Sequence, residues 1–332
     1  MKILVVDVAA ETGGAKTILE QFLNQWKADT NHYTVLLSKL SYNNSPNITF
    51  RYFPWTKKSY FHRLWFDYIW VRHIIKKEKP DCIISLQNNA VWSGKVFQKV
   101  YFHNSLFISD YNYSYSESRI LWFYQNILSI LIRHSLKKAN KVVVQSNWMK
   151  QALVQKWNIE ENRIDINAPE ICFDETYVRK DNKKQLCLFY PANYQPYKNH
   201  ITLLKACEQI WNERGPECGL RLYLTGSNES IPDSIREKIK IDDYPIFFIG
   251  YLDSDGMAEM YSKTSLVFPS LIESVGLPLL EAQKFNSWIL CSDLVYAHES
   301  TSEYSKTIYF DPISISSIKS SIEHLNTINN CF

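Results

Sequence analysis

The stretch Phe268-Pro269-Ser270-Leu271-Ile272-Glu273-Ser274-Val275-Gly276-Leu277-Pro278-Leu279-Leu280-Glu281-Ala282 decides how the chain is read. An apolar strand ends at Pro269, a loop carries Glu273, and Pro278 suits the first helical position, where its missing N–H is no loss. Gly276 lets the backbone come close to a ligand. The helix N-terminus behind it offers unspent amides and partial positive charge, which together make a phosphate site. Glu281 is expected in the first helical turn, where a carboxylate is electrostatically favoured. It is placed there to accept hydrogen bonds from vicinal hydroxyls.

Outward from this stretch, short β-branched runs alternate with amphipathic segments, the signature of βαβ units and a parallel sheet. The pattern predicts strands at 2–7, 33–37, 82–86, 98–102 and 141–145, with helices at 15–28, 60–79, 119–138 and 147–157. A polar stretch, 169–185, reads as a linker. A second series follows, with strands at 186–190, 220–225, 246–249, 265–268 and 288–291 and helices at 200–213, 256–263, 278–284 and 313–327. The expected class is therefore α/β, with doubly wound parallel-sheet domains at 1–168 and 186–332. Ligand is expected at the carboxyl ends of the strands, in the cleft between them.

Composition narrows the function. Lys plus Arg is 37 and Asp plus Glu 34, a net charge of +3, which gives no support to nucleic-acid binding. The 7 cysteines are odd in number and include no Cys-x-x-Cys pair, against a disulfide framework or structural zinc and for a reducing cytosol. Met1–Asp7 reads as a buried strand and not a signal peptide, and no 18-residue apolar run exists to span a membrane. Asp253-Ser254-Asp255 could hold a divalent cation, but it stands before a helical stretch and reads as a cap. No metal is expected.

Glu273 and Glu281, with the loop between them, resemble the E-x7-E motif of the family 4 retaining glycosyltransferases. The resemblance implies the GT-B fold, two facing Rossmann-like domains, with residues 1–168 binding the acceptor and 186–332 the nucleotide-sugar donor. It implies that Glu281 binds the nucleotide's ribose, that Glu273 faces the donor sugar and the reacting centre, and that the backbone of Ser274, Val275, Gly276 and Leu277 holds the diphosphate. Lys198-Asn199 resembles the family's lysine and helix opening: Lys198 would neutralise the diphosphate and Asn199 would cap the helix. Tyr194-Gln195-Pro196-Tyr197 stands where many relatives carry an arginine. Gly13-Gly14 resembles the glycine-rich loop near donor or acceptor, and His103 a histidine beside the donor sugar. Asn286-Ser287-Trp288 replaces a usual glycine and proline, though asparagine tolerates a left-handed turn. The chain stops soon after Phe310-Asp311, which leaves little room for the family's terminal crossing helix.

The implied activity is transfer of a sugar, with retention, from a nucleotide diphosphate sugar to a polyprenyl-linked or free glycan in O-antigen or capsule synthesis. It needs neither a metal nor another cofactor. A GT-B epimerase or phosphorylase and a noncatalytic subunit of another glycosyltransferase remain alternatives. Residues 57–79 carry Lys57, Lys58, Arg63, Arg72, Lys76, Lys77 and Lys79 among Tyr60, Phe61, Trp65, Phe66, Tyr68 and Trp70. Basic and aromatic residues so mixed suit an anionic membrane surface, and the inner face of a bacterial membrane is the expected location.

Overall fold

The computed structural model describes residues 1–11, 13–171, 173, 185–238 and 243–329. Contacts divide the chain into two units, Met1–Ala168 and Pro169–Phe332.

The first unit is built on β1 (Lys2–Val6), β2 (His32–Leu37), β3 (Ile48–Tyr52), β4 (Cys82–Ser85), β5 (Phe97–Tyr101), β6 (Lys141–Val144) and β7 (Ile164–Ile166). All pairings are parallel, in the order β3-β2-β1-β4-β5-β6-β7. A parallel sheet must be covered on both faces, so its strands read as continuous apolar runs. On one face Leu4, Val6 and Ile83 pack on Phe66, Val71 and Ile74. On the other, Val5, Val35 and Leu37 pack on Leu19, Leu23 and Trp26 of the Gly13–Lys27 helix. The order reverses between β1 and β4, where Val6 lies opposite both Leu36 and Ser85.

The predicted helix 60–79 runs as Tyr60–Trp65, a π turn Phe66–Trp70, and Val71–Glu78. The predicted helix 119–138 has the same construction, with its π turn at Tyr124–Leu128. β3 and β7 were not foreseen from sequence. They are the edge strands of the sheet, β3 lying between Pro46 and Pro54 and β7 only 3 residues long.

The second unit holds β8 (Leu186–Tyr190), β9 (Leu220–Leu224), β10 (Ile246–Phe248), β11 (Ser265–Phe268), β12 (Ile289–Ser292) and β13 (Thr307–Phe310), again all parallel, in the order β10-β9-β8-β11-β12-β13. Here the reversal falls between β8 and β11. Phe189, Tyr190 and Phe268 are fully buried at that junction. β13 and the Val295–Thr301 helix are additions to the sequence reading. The terminal stretch predicted as helix is the Ile315–Asn329 helix. Cys82, Cys187, Cys207, Cys218 and Cys291 are free thiols, while Cys172 and Cys331 lie outside the described residues. So does most of the predicted linker, residues 172 and 174–184.

Asn286 adopts φ +54°, the left-handed turn expected where relatives place glycine. A β-branched side chain is poorly tolerated there, so Asn286→Val should cost about 1–2 kcal/mol, and Asn286→Gly should be close to neutral. Urea denaturation of the two variants checks this.

Candidate functional site

The junction of β8 and β11 brings two charged side chains together. A tight turn, Pro196–Lys198, follows β8 and is tied down on both sides. The Tyr190 hydroxyl donates to the Lys198 carbonyl at 2.6 Å, and the Leu271 N–H donates to the Tyr197 carbonyl at 2.7 Å. Lys198 Nζ thereby meets Glu273 Oε1 at 2.5 Å, with the side chains only 16% and 14% exposed. The ammonium also lies near the rings of Tyr197 and Phe268, at 5.7 and 5.8 Å. Removing one partner of so buried a pair strands the other charge.

Beyond Glu273 the loop turns into the Leu277–Lys284 helix through Gly276, at φ +75°. A Cβ there would stand 3.1 Å from Leu279 Cδ1 and 3.3 Å from rings of Phe268 and Tyr296, so the position is closed to other residues on both conformational and steric grounds. Ser300 Oγ donates to the Val275 carbonyl and Tyr296 to the Ser270 carbonyl at 2.7 Å, fixing the loop from behind. Ser274 is half-buried, Val275 and Gly276 are buried, and Leu277 is exposed.

The helix opens at Leu277, one residue before Pro278, because the left-handed Gly276 already serves as its cap. Glu281 is therefore its fifth residue and stands beyond the first turn, which corrects the sequence reading. Its Oε2 accepts a 2.6 Å hydrogen bond from the buried Tyr261 hydroxyl. Burial pushes the Glu281 carboxyl above its ordinary value, and the Tyr261 bond pulls the other way. Tyr261 went unnoticed in sequence because it looks like any apolar-face residue of its helix, Ser254–Lys263.

Asn199 also departs from expectation. It stands at the cap position of the His200–Arg214 helix but in the left-handed region, φ +58°, without the capping side-chain bond. Its amide instead donates to the carbonyls of Pro269 (3.2 Å) and Pro312 (2.7 Å), and its oxygen accepts from Thr202 (2.6 Å). It stitches three loops together at the sheet edge. Asp253 does cap its helix, accepting from the Gly256 N–H at 2.9 Å. Among the described residues no group of three or more His, Cys, Asp or Glu is disposed to hold a metal.

In the first unit, Gly13 and Gly14 are the first residues of the Gly13–Lys27 helix, where a loop ahead of the helix was expected. His103 follows β5, as expected, and its orientation is set by a residue the sequence did not single out. Asn88, at φ +67°, accepts the backbone N–H groups of His103 (2.8 Å) and Asn104 (2.9 Å) with its side-chain oxygen. That fixes which end of the amide faces the ring: Nδ2 lies 3.2 Å from His103 Nε2 and must donate to it. His103 Nε2 is then the acceptor and Nδ1 carries the proton. Nδ1 is buried without a partner among the described residues. Burial lowers the His103 pKa to about 4, so the ring stays neutral and offers Nδ1–H as a donor.

Two family models match the chain: Glycosyltransferase Family 4 over residues 12–167 and Glycosyl transferases group 1 over 174–329. The O-antigen chain mannosyltransferase RfbU of Salmonella typhimurium is 22% identical over 203 residues, 60% of this chain and 54% of that protein. The serotype-specific mannosyltransferase WbdA of Escherichia coli is 28% identical over 133 residues, 39% of this chain and 16% of that protein. The chain thus spans about half the length, or less, of these curated relatives. Among solved structures, sucrose-phosphate synthase from Thermosynechococcus elongatus aligns with a TM-score of 0.70 at 14% identity, over 99% of this chain and 90% of that one. WaaG, a glycosyltransferase involved in lipopolysaccharide biosynthesis, aligns with a TM-score of 0.70 at 13% identity, over 98% and 90%. At such identities the likeness is one of fold.

Two measurements test the site's construction. Lys198→Met should lose about 3 kcal/mol of stability by stranding Glu273, and the double change with Glu273→Gln should recover most of it; a calorimetric double-mutant cycle that proves additive would refute the buried pair. Asn88→Asp should move the His103 proton onto Nε2 and raise the ring's pKa from about 4, since a carboxylate now faces it. Long-range 15N–1H NMR of the imidazole reads both changes.

Proposed function

Because the chain belongs to the GT-B glycosyltransferases related to family 4, we propose that it transfers one sugar, with retention, from a nucleotide diphosphate sugar to a hydroxyl of a lipid-linked glycan in O-antigen- or capsule-type polysaccharide synthesis. The observation that carries the reading is the convergence of Lys198, Glu273 and the Gly276-capped helix at the strand-order reversal of the second sheet. Open α/β sheets bind ligands at such a reversal. In this reading Lys198 leaves Glu273 to meet the diphosphate, and the backbone of Ser274, Val275, Gly276 and Leu277 surrounds it. Glu273, released, turns to the sugar hydroxyls. Glu281 accepts from the ribose hydroxyls while Tyr261 holds its other oxygen. His103 donates Nδ1–H to a donor-sugar oxygen. Gly13 and Gly14 present the N-terminal amides of their helix.

The sugar's C1–O bond to phosphate breaks as C1–O to the acceptor forms on the same face. The acceptor's proton passes to the departing phosphate oxygen, so no carboxylate is required as base. Fixed cationic and amide groups facing the developing charge supply the rate enhancement. Both curated relatives are mannosyltransferases, and mannose is the sugar we favour.

The first unit also carries a surface suited to a membrane. No helix of the described residues is long and apolar enough to cross one. Phe61 (71% exposed), Trp65 and Trp70 stand outward on the first π-turn helix, and Ile120, Ile127 and Ile130 on the second. The two helices touch, since Tyr60 donates to the Tyr124 hydroxyl at 2.7 Å. Not all of the segment faces out: Phe66 is buried, and Lys57 and Arg63 turn inward to Glu11 and Asp67. Lys58, Arg72, Lys76, Lys77 and Lys79 remain exposed beside the apolar ridge. These features support the proposed peripheral attachment to the anionic inner face of a bacterial membrane, with each basic residue worth about 1 kcal/mol near the surface.

Thermal shift against UDP, GDP, dTDP and CMP tests the donor site: at about 100 times its dissociation constant, one of them should stabilise the protein by about 2.7 kcal/mol. Glu281→Ala should abolish that shift, and a wild type blind to all four would count against the reading. Phe61→Ser with Trp65→Ser should reduce co-sedimentation with vesicles rich in phosphatidylglycerol, leaving transfer to a soluble acceptor intact.

A further inference from the structure

The strand order of the first sheet reverses between β1 and β4, and three polar residues sit at the carboxyl edge there. Asp7 follows β1 directly, Ser38 follows β2, and Gln87 follows β4 after Leu86. The ladder continues up to them: the Leu86 N–H donates to the Val6 carbonyl at 3.0 Å and the Asp7 N–H to the Leu36 carbonyl at 2.9 Å. They are 1%, 1% and 5% exposed, yet Asp7 Oδ1, Ser38 Oγ and Gln87 Oε1 have no hydrogen-bond partner among the described residues. Native folds leave few such groups. Three on neighbouring strand ends at the reversal point to a ligand.

The chemistry of that ligand follows from what is already spent. Lys57 donates to the Ala9 carbonyl at 2.9 Å and pairs with Glu11 at 3.3 Å, and Lys39 pairs with Glu11 at 3.2 Å. Arg63 pairs with Asp67 at 3.1 Å, and Asp67 also accepts from Gln87 Nε2 (2.8 Å) and Asn89 Nδ2 (3.1 Å). The Gln87 amide is thereby fixed with its oxygen as the open end. Burial pushes the Asp7 carboxyl up to about 7, against the fields of Arg63 and Lys57. Gln87 Oε1 and the ionised Asp7 Oδ1 are open acceptors, Ser38 Oγ can donate or accept, and the nearby cations are engaged. A phosphate would add acceptors and negative charge. A hydroxyl-bearing ring brings the missing hydrogens.

We propose that Asp7, Gln87 and Ser38 form a hydroxyl-binding pocket for the terminal sugar of the acceptor glycan, with Asp7 Oδ1 and Gln87 Oε1 accepting from ring hydroxyls. The pocket rests on the transferase reading above and supplies its acceptor subsite.

Saturation-transfer NMR on the full chain, with methyl α-D-mannopyranoside as probe, tests it. Asp7→Asn and Gln87→Met should each weaken the glycoside signal about fivefold, the worth of one hydrogen bond, leaving nucleotide diphosphate affinity unchanged. Asp7→Asn should also melt no lower than wild type at alkaline pH, because it removes a buried carboxylate held against burial; Gln87→Met gives a second reading should Asp7→Asn fail to fold. Glu281→Ala should keep the glycoside signal and lose the nucleotide. A glycoside signal absent from wild type, indifferent to both pocket variants, or displaced by inorganic phosphate overturns the pocket, whereas loss of nucleotide binding by wild type overturns the transferase reading instead.

Discussion

Every strand pairing in the two sheets is parallel, so each strand leaves its sheet at the same edge and each return is made by a segment that must cover a face. The faces are consequently mostly apolar, and functional polar side chains gather at the edge. Where strand order reverses, the connections on either side diverge to opposite faces and open a crevice. Asp7 and Gln87 flank the reversal in the first sheet, and the loops of Lys198 and Glu273 flank the one in the second. The chemistry of both units is placed by topology before any side chain is chosen.

Edge positions still carry a desolvation cost, and the protein meets it in three ways. Lys198 and Glu273 pair with each other in a site 14–16% exposed. His103 gives up its charge, since burial holds it neutral, and Asn88 decides which nitrogen bears the proton. For Asp7, the fields of Arg63 and Lys57 and a hydrogen bond from the Ala10 backbone fall short of balancing its burial. Groups that are costly to keep and contribute no packing are the ones a stability-driven sequence would discard, so they mark where function overrides stability.

The central strands were legible because burial on both faces writes them as unbroken apolar runs, as in Ile3-Leu4-Val5-Val6 or Val142-Val143-Val144. β3 and β7 were not, since edge strands lack that double burial. The Glu273–Glu281 pair could be read around a glycine and a proline, and Lys198 through the family resemblance of its turn. Their pairing could not, since residues 198 and 273 are brought together only by the β8–β11 register. Asn88 and Tyr261 escaped for a related reason: each acts through a partner distant in sequence, and neither lies in a pattern of its own. Asn199 was read as a local cap, but its amide reaches carbonyls 70 and 113 residues away.

In the proposed donor site, the absence of an arginine before Lys198 bears on how a diphosphate would be met. Tyr194-Gln195-Pro196-Tyr197 carries no charge. Tyr194 is spent on His200, ring to ring at 4.8 Å, and on the Thr225 carbonyl. Tyr197 packs beside the lysine itself. With one cation in this turn, the proposed site would leave more of the balancing charge to the amides at the Gly276 cap, whose partial charge is worth about half an elementary charge at the helix end. Those amides cannot adjust to a ligand as a long side chain can. The crowding of Gly276 by Leu279, Phe268 and Tyr296, and the bonds from Ser300 and Tyr296 behind the loop, are what a preorganised backbone site requires. A flexible loop would demand a second mobile cation; a rigid one can work with Lys198 alone.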